Sequence, residues 1–358
     1  MNTSENKDLR AETLKHAIAR PPCVCADLPG IGGAIKAAPE HFEVEEILPY
    51  AACGEGEHVF VTLRRRLWNT ADVAAELARC FGLKTMDVGW GGRKDKQAVT
   101  TQTFSLLLPV GMSLDEVTAR LRDLPFELLD LGRHRNKIKT GHVAANRFRI
   151  LLTEVPAAAL APARAIAGVL RQRGLPNFYG EQRFGFQMAN IDRAFQLLSR
   201  RRPVRGKQDE LLVSALQSGL FNQWLAERMT GGEYHCLRLG DVAQKTDTGG
   251  LFVVQDLAEA SVRFAQGAIT YTGPIFGSKM MAAANVAGER EAALLAAYAL
   301  TGDDFKRLKA PGSRRRAILT LDDLQVQPEE QGLRFSFTLP PGAYATTVLR
   351  EFMRPPLA

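Results

Sequence analysis

The sequence predicts a two-domain protein built from both strands and helices, and three features carry that expectation. Its 358 residues exceed what one hydrophobic core usually organises. Short strand-type segments alternate with helical ones from Gly32 to Leu152. Composition then shifts to alanine and proline over Pro156 to Ala167, and a long segment that holds helical stretches separated by Gly-rich turns follows before a last strand pattern near the C-terminus.

Residues 1 to 30 carry mixed charges up to the Pro21-Pro22 break and read as a lead-in, mobile in its first part. His58 to Leu63 is a strand candidate. Ala71 to Phe81 has Val73, Leu77 and Phe81 on one helical face behind an Asn69/Thr70 cap. Thr103 to Leu108 reads as a strand, and Ser113 with Glu116 three residues on makes a capping box before Val117 and Leu121. Arg147 to Leu152 returns to strand, and Pro156 to Ala167 opens a helix. Further helical stretches fall at Ile191 to Arg200, Glu210 to Arg228 and Glu289 to Leu300, separated by turns such as Gly231-Gly232 and Gly249-Gly250. Leu333, Phe335, Phe337 and Leu339 alternate with Arg334, Ser336 and Thr338, the period of a half-buried strand. Pro340-Pro341-Gly342 ends it, and Thr346 and Thr347 can cap a short helix containing Val348, Leu349, Phe352 and Met353. There is no internal repeat or heptad array.

A net charge of +7 favours a polyanionic partner without naming one. The cations cluster at Arg64 to Arg66, at Arg133, Arg135, Lys137 and Lys139, at Arg200 to Lys207 and at Arg314 to Arg316. Separate patches suit a wrapped substrate, although any one of them also reads as a solvated face. Cysteines 23, 25, 53, 80 and 236 form no CxxC pair and no Cys/His array of zinc spacing, so no structural metal is expected. Their odd number, with no secretory leader and no run approaching a membrane span, fits reduced thiols in a cytoplasmic protein.

The sharpest local feature is the run Gly91-Gly92-Arg93-Lys94-Asp95-Lys96-Gln97-Ala98-Val99-Thr100, between a helix and the strand at Thr103. Glycines let the backbone turn tightly and approach a ligand. Arg93, Lys94 and Lys96 should hold Asp95 ionised, the state a nucleophile needs. Taken alone, the run also fits a surface turn with solvated charges. It is not a phosphate loop, because GxxxxGK[ST] is absent here and elsewhere.

Taken along the whole chain, this run is one of several segments that resemble the TruD family of tRNA pseudouridine synthases. Lys36 to Glu46, with Phe42-Glu43-Val44-Glu45-Glu46, is similar to the family's opening motif of a lysine before a Phe-x-Val-x-Glu strand. The Gly92 to Gln102 segment resembles its catalytic loop, Asn146-Arg147-Phe148 its Asn-x-Phe, and Pro176 to Gly185 its aromatic GxQRFG signature. Phe221-Asn222-Gln223 with Arg228, Gly273-Pro274 and Tyr344 to Glu351 complete the order. The chain departs from the pattern at His41, at Ala145 and in the order of Phe178 and Tyr179.

The resemblance implies an α+β fold: a pseudouridine-synthase core with a mixed, largely antiparallel sheet over residues 1–153 and 308–358, and an inserted α+β (TRUD) domain over 154–307. It implies isomerisation of uridine to pseudouridine in tRNA, at position 13 of the D-arm region, on a flipped-out nucleotide. No cofactor is needed, because neither redox state nor phosphate changes. Asp95 is then the catalytic carboxylate. Phe148 stacks on the target uracil, with a strand-core position as the alternative, while Asn146 points towards Asp95 or the base and Arg350 orients Asp95 by a bidentate pair. Lys36, Phe42, Lys94 and Arg183 become RNA contacts, Phe42 with the alternative of facing the core. His58 and His142 have no part in such chemistry. The expected partner is tRNA, bound with steep salt dependence, by a monomer with no obligate protein partner and no membrane. The rivals are an RNA-binding or RNA-remodelling protein without catalysis, for which Asp95 has no use, and a glycoside hydrolase, which requires a second carboxylate facing Asp95.

Overall fold

A computed structural model describes residues 5–35, 37–199 and 204–354, with side chains from residue 9 onward. In chain order the elements are α1 (Glu5–Ala19), β1 (Phe42–Ile47), β2 (His58–Arg66), α2 (Thr70–Phe81), β3 (Val88–Trp90), β4 (Val99–Leu107), α3 (Leu114–Leu121), β5 (Glu127–His134), β6 (Ala145–Leu152) and α4 (Leu160–Arg173). Then follow β7 (Leu175–Pro176), α5 (Ala189–Ser199), α6 (Gly206–Thr230), β8 (Val242–Lys245), β9 (Leu251–Val253), α7 (Leu257–Ala265) and β10 (Ile269–Ile275). The chain ends with α8 (Asn285–Ala297), α9 (Gly302–Arg307), β11 (Ser313–Arg316), β12 (Ile318–Leu319), β13 (Gln325–Glu329), β14 (Gly332–Leu339) and α10 (Ala345–Phe352). The fold is mixed α+β.

Two compact units form, each from separate stretches of chain: Asp27–Arg171 with Leu321–Ala345 and Phe352–Ala358, and Met1–Ala26 with Gln172–Thr320 and Thr346–Glu351. Most of α4 stays with the first unit.

The first unit holds a large mixed sheet in the order β13-β14-β6-β1-β4-β2-β5, with β3 also on β4. Among its described strands only β1 with β4 is parallel. Register puts Val44 beside Thr100 and Phe148, Phe148 beside Phe337, and Leu63 beside Gln102. Because side chains alternate along a strand, one face carries Val44, Phe104, Phe148, Ile150, Phe335 and Phe337, all buried. The other carries Glu43, Glu45, Arg64, Arg147 and Arg334, tied by the ion pairs Arg64–Glu43 and Arg147–Glu45 at 3.2 and 2.9 Å. α2 buries Val73, Leu77 and Phe81 and starts where Asn69 accepts from the Asp72 amide at 2.9 Å. The Ser113/Glu116 capping box is formed.

Both β1 and β3 pair with the same edge of β4. β1 reaches Thr101 from one end, and β3, antiparallel, reaches Phe104 from the other. The two strands therefore run towards each other across Gln102, and the run from Gly91 leaves the sheet at that junction.

The second unit centres on α6, against which α1, α5 and β10 pack. Leu14, Phe184, Ile191, Phe195, Leu216, Leu220, Phe221, Trp224 and Tyr271 form its core. A four-stranded antiparallel sheet, β11-β10-β8-β9, completes it. Two parts of this unit differ from the sequence reading. The lead-in is a helix over Glu5–Ala19, anchored by buried Ala11, Leu14 and Ile18, while residues 1–4 lie outside the described ones. The strands of the small sheet were not located in the sequence, because six successive residues of β10 are buried and a strand buried on both faces shows no alternation. The last helix starts at Ala345, so Thr346 and Thr347 lie in its first turn rather than before it. No helix among the described residues is long and apolar enough to cross a membrane.

Candidate active site

Three strands break their own hydrophobic pattern at the junction below Gly91. In β1 the buried phase reads Phe42, Val44, Glu46; in β2 it reads Val59, Val61, Leu63, Arg65; in β4, Gln102 precedes Phe104 and Leu106. These polar groups meet. Gln102 Nε2 donates to Glu46 Oε2 at 3.0 Å and to the Gly92 carbonyl at 2.7 Å. Arg65 donates to Gln102 Oε1 at 2.8 Å and to Thr70 Oγ1 at 3.1 Å, and lies 5.5 Å from the centre of the Phe104 ring. Thr70 Oγ1 accepts in turn from the Lys94 amide at 2.9 Å. Buried polar groups are tolerable only with such partners.

Lys94 closes the network. Its amine is ion-paired with Glu46 Oε2 and donates to Asn146 Oδ1 at 2.8 Å, with the two charged side chains 7% and 0% exposed. Burial pushes the Glu46 carboxyl above its ordinary range, against the pull of Lys94, and lowers the Lys94 amine, against the pull of Glu46. Burial brings Arg65 down to about 10, still charged at neutral pH. Glu46 Oε1 has no hydrogen-bond partner among the described residues.

The run above this network has no room at its base. A Cβ on Gly91 would stand 2.7 Å from the His142 carbonyl oxygen and 2.8 Å from Val143. The Gly91 carbonyl accepts from the Gly141 amide at 2.8 Å. Lys94 points inward and the next residue, Asp95, is exposed, its Oδ1 accepting from the Gln97 amide at 3.0 Å. The chain thus presents a carboxylate one residue beyond a buried anchor.

The other residues singled out in the sequence are placed as follows. Asn146 sits on β6 in the network just described. Phe148, two residues on and on the same face, is 9% exposed, its ring 5.5 Å from Phe337 and 6.1 Å, edge-on, from Phe42. Phe42 is itself buried on this face. Lys94, expected as an RNA contact, turns its amine inward, because Glu46 on the core face would otherwise be a buried charge without a partner. Lys36 lies outside the described residues. In the second unit Arg183 donates to Ser218 Oγ at 3.1 Å and to Ser214 Oγ, binding its turn to α6. Arg350, also in that unit, donates to the Pro22 carbonyl at 3.0 Å and to that of Pro21, its guanidinium 5.5 Å from the centre of the Phe178 ring. Tyr50 and His142 share a hydrogen bond.

Glu46, Arg65, Gln102 and Thr70 were not singled out from the sequence. The signal for the first three was a polar residue in the buried phase of a strand. Among the described residues, no group of three or more His, Cys, Asp or Glu side chains is arranged to hold a metal ion.

Comparison with known proteins adds an independent finding. The family model described as tRNA pseudouridine synthase D (TruD) matches residues 22–193 and 189–352. The tRNA pseudouridine synthase D of Anaeromyxobacter dehalogenans is 44% identical over 343 residues, covering 93% of this chain and 96% of that one. That of Thermus thermophilus is 39% identical over 338 residues, covering 94% and 92%. A crystal structure assigned to tRNA pseudouridine synthase D of Methanosarcina mazei superposes with a TM-score of 0.75 at 21% identity, covering 96% of this chain and 98% of that one, and shares the fold.

Proposed function

The chain belongs to the TruD family of tRNA pseudouridine synthases, which are isomerases, and from that premise we propose that Asp95 is its catalytic carboxylate and uridine 13 of tRNA its target. The reaction breaks the N1–C1′ bond of uridine and forms a C5–C1′ bond. One proton leaves C5 and one is gained at N1, so atoms and electrons balance with no redox partner. Asp95 begins this sequence on the glycosidic unit, by attack on the sugar or by removal of a ribose proton.

The observation that carries the assignment is the contrast between adjacent residues: Lys94 buried in the Glu46–Asn146 network, Asp95 exposed. A catalytic group needs a fixed position more than a low-energy one. The anchor supplies it while leaving the carboxylate open to a nucleotide. Such a nucleotide must be unstacked, at a cost of a few kcal/mol in general, and phosphate contacts with shape recognition offset that cost. In this reading Asn146 steadies the anchor, and Phe148 supports the floor beside it. The D-arm position rests on the family resemblance.

The test is Asp95→Asn, incubated with unmodified tRNA and mapped for pseudouridine by a chemical stop assay. Turnover is expected to fall by at least about a thousandfold, as for an essential group acting directly, with the Kd for tRNA within a few fold of wild type. Near-normal turnover refutes the role of Asp95, and a wild-type stop elsewhere in the tRNA moves the target site.

A further inference from the structure

Phe186 is 85% exposed, on a turn that begins with Gly185 at φ 75°. The next two residues, Gln187 and Met188, also have left-handed backbones, at φ 49° and 58°. Neither is glycine, so this conformation is strained, and strain of this kind persists where the surroundings over-determine it, often at functional sites. The surroundings here do so on both sides. Before the turn, Arg183 is bonded to Ser214 and Ser218 of α6, and Phe184 is 1% exposed. At the turn, the Asn190 side chain stands 3.0 Å from where a Cβ on Gly185 would lie, and the Met188 amide donates to the Gly185 carbonyl at 3.0 Å. After it, Met188 packs on the core. A phenyl ring held outward at the centre of a clamped turn gains nothing for the folded chain.

We infer that Phe186 is a stacking contact for an unpaired base of the RNA substrate. The inference rests on the reading of the chain as an enzyme acting on folded RNA. Every base has a π-face, and stacking on an aromatic ring recognises single-stranded positions without reading sequence. A clamped turn suits this use because little freedom is lost when the base arrives. Cationic side chains lie beside an aromatic ring of the signature segment: the guanidinium groups of Arg183, in that segment, and of Arg315, on β11, sit 5.5 and 3.9 Å from the centre of the Tyr179 ring.

The experiment compares wild type, Phe186→Ala and Phe186→Trp for the Kd of unmodified tRNA, for kcat and KM, for the thermal unfolding midpoint and for sedimentation. Phe186→Ala should raise Kd and KM about 5- to 100-fold, the range that loss of one base–aromatic stack gives. Its kcat, unfolding midpoint and mass should not change, and Phe186→Trp should restore binding. An unchanged Kd in Phe186→Ala overturns the inference. So does a loss of binding that follows a fall in the unfolding midpoint, which assigns the ring to packing, or a change of mass, which assigns it to a second copy of the chain. Wild-type protein that binds tRNA without turnover removes the proposed function but leaves the Kd comparison to decide on Phe186, whereas normal turnover with indifferent Phe186 variants removes this inference alone.

Discussion

Glu46 and Lys94 are two charges taken out of water beside the residue proposed to do the chemistry. Their attraction does not by itself make the pair stabilising, since burial moves both groups towards their neutral forms. Removing one partner is another matter. Glu46→Gln leaves the amine buried without a counter-ion and is expected to cost about 3–5 kcal/mol. The double variant Glu46→Gln/Lys94→Met should recover much of that stability but not the turnover, because the run carrying Asp95 has lost its anchor; denaturant titration with the pseudouridine assay separates the two. The pH dependence has a definite sign. The folded Glu46 holds its proton above the ordinary value of 4.5, so its contribution to stability is full below that value and is lost as pH rises through the raised one. Glu46→Gln should flatten this decline. Asp95 and Asn146 were singled out in the sequence, and the structure sets the Asn146 side chain against the Lys94 amine, one residue before Asp95. The direction of Lys94 was not legible there, since three cations flank Asp95 and sequence alone does not say which one faces a buried carboxylate. The phase of β1 shows only that the carboxylate is buried: Glu46 falls where Phe42 and Val44 face the core.

At the scale of elements, what was legible depended on whether an element has a dry face and a wet one. β14 alternates strictly and was visible, as were α2 and α3, whose caps and apolar faces agree. The sheet of β8 to β11 was not, because its central strand is buried on both faces and its neighbours are only three or four residues long. α1 buries Ala11, Leu14 and Ile18, a helical spacing hidden among charges. The run from Gly91 to Ala98 belongs to no regular element, and its glycines were read correctly as permitting close approach, although what they approach is protein. Gly91→Ala would drive a methyl group against the His142 carbonyl and Val143. Since the neighbouring contact is backbone, the run must shift, and a displacement of about 1 Å at a catalytic group can cost about a hundredfold. Turnover should therefore fall by about that factor with the Kd for tRNA little changed. Unaltered kcat in Gly91→Ala would mean that the position of the run does not govern the chemistry.

For the whole molecule, the net charge of +7 and the clustering of cations in the sequence suggested steep salt dependence of RNA binding; Arg200 to Arg202 lie outside the described residues, and most clustered cations among the described ones already have intramolecular partners. Arg64 and Arg66 pair with Glu43 and Glu40, and Arg135 with Glu55. Arg133 donates to three carbonyls, those of Gly56, Pro109 and Met112. The Arg314 side chain is 1% exposed and bonded to Glu291, Arg315 is bonded to Asn177, and Arg316 to Gln244 at 2.6 Å. A cation neutralised within the protein releases few counterions from RNA. Were every clustered cation to meet a phosphate, log Kobs would fall against log salt with a slope of about −10 or steeper; with the bonded ones withheld, a slope of about −4 to −6 is expected. Titration of unmodified tRNA with the Asp95→Asn protein from low to moderate salt measures this without turnover. Arg314→Ala should leave the slope unchanged and lower the unfolding midpoint, because it strands Glu291 in the core. A slope near the steep limit, or one made shallower by Arg314→Ala, would show that these arginines exchange their carboxylate and carbonyl partners for phosphates when RNA binds.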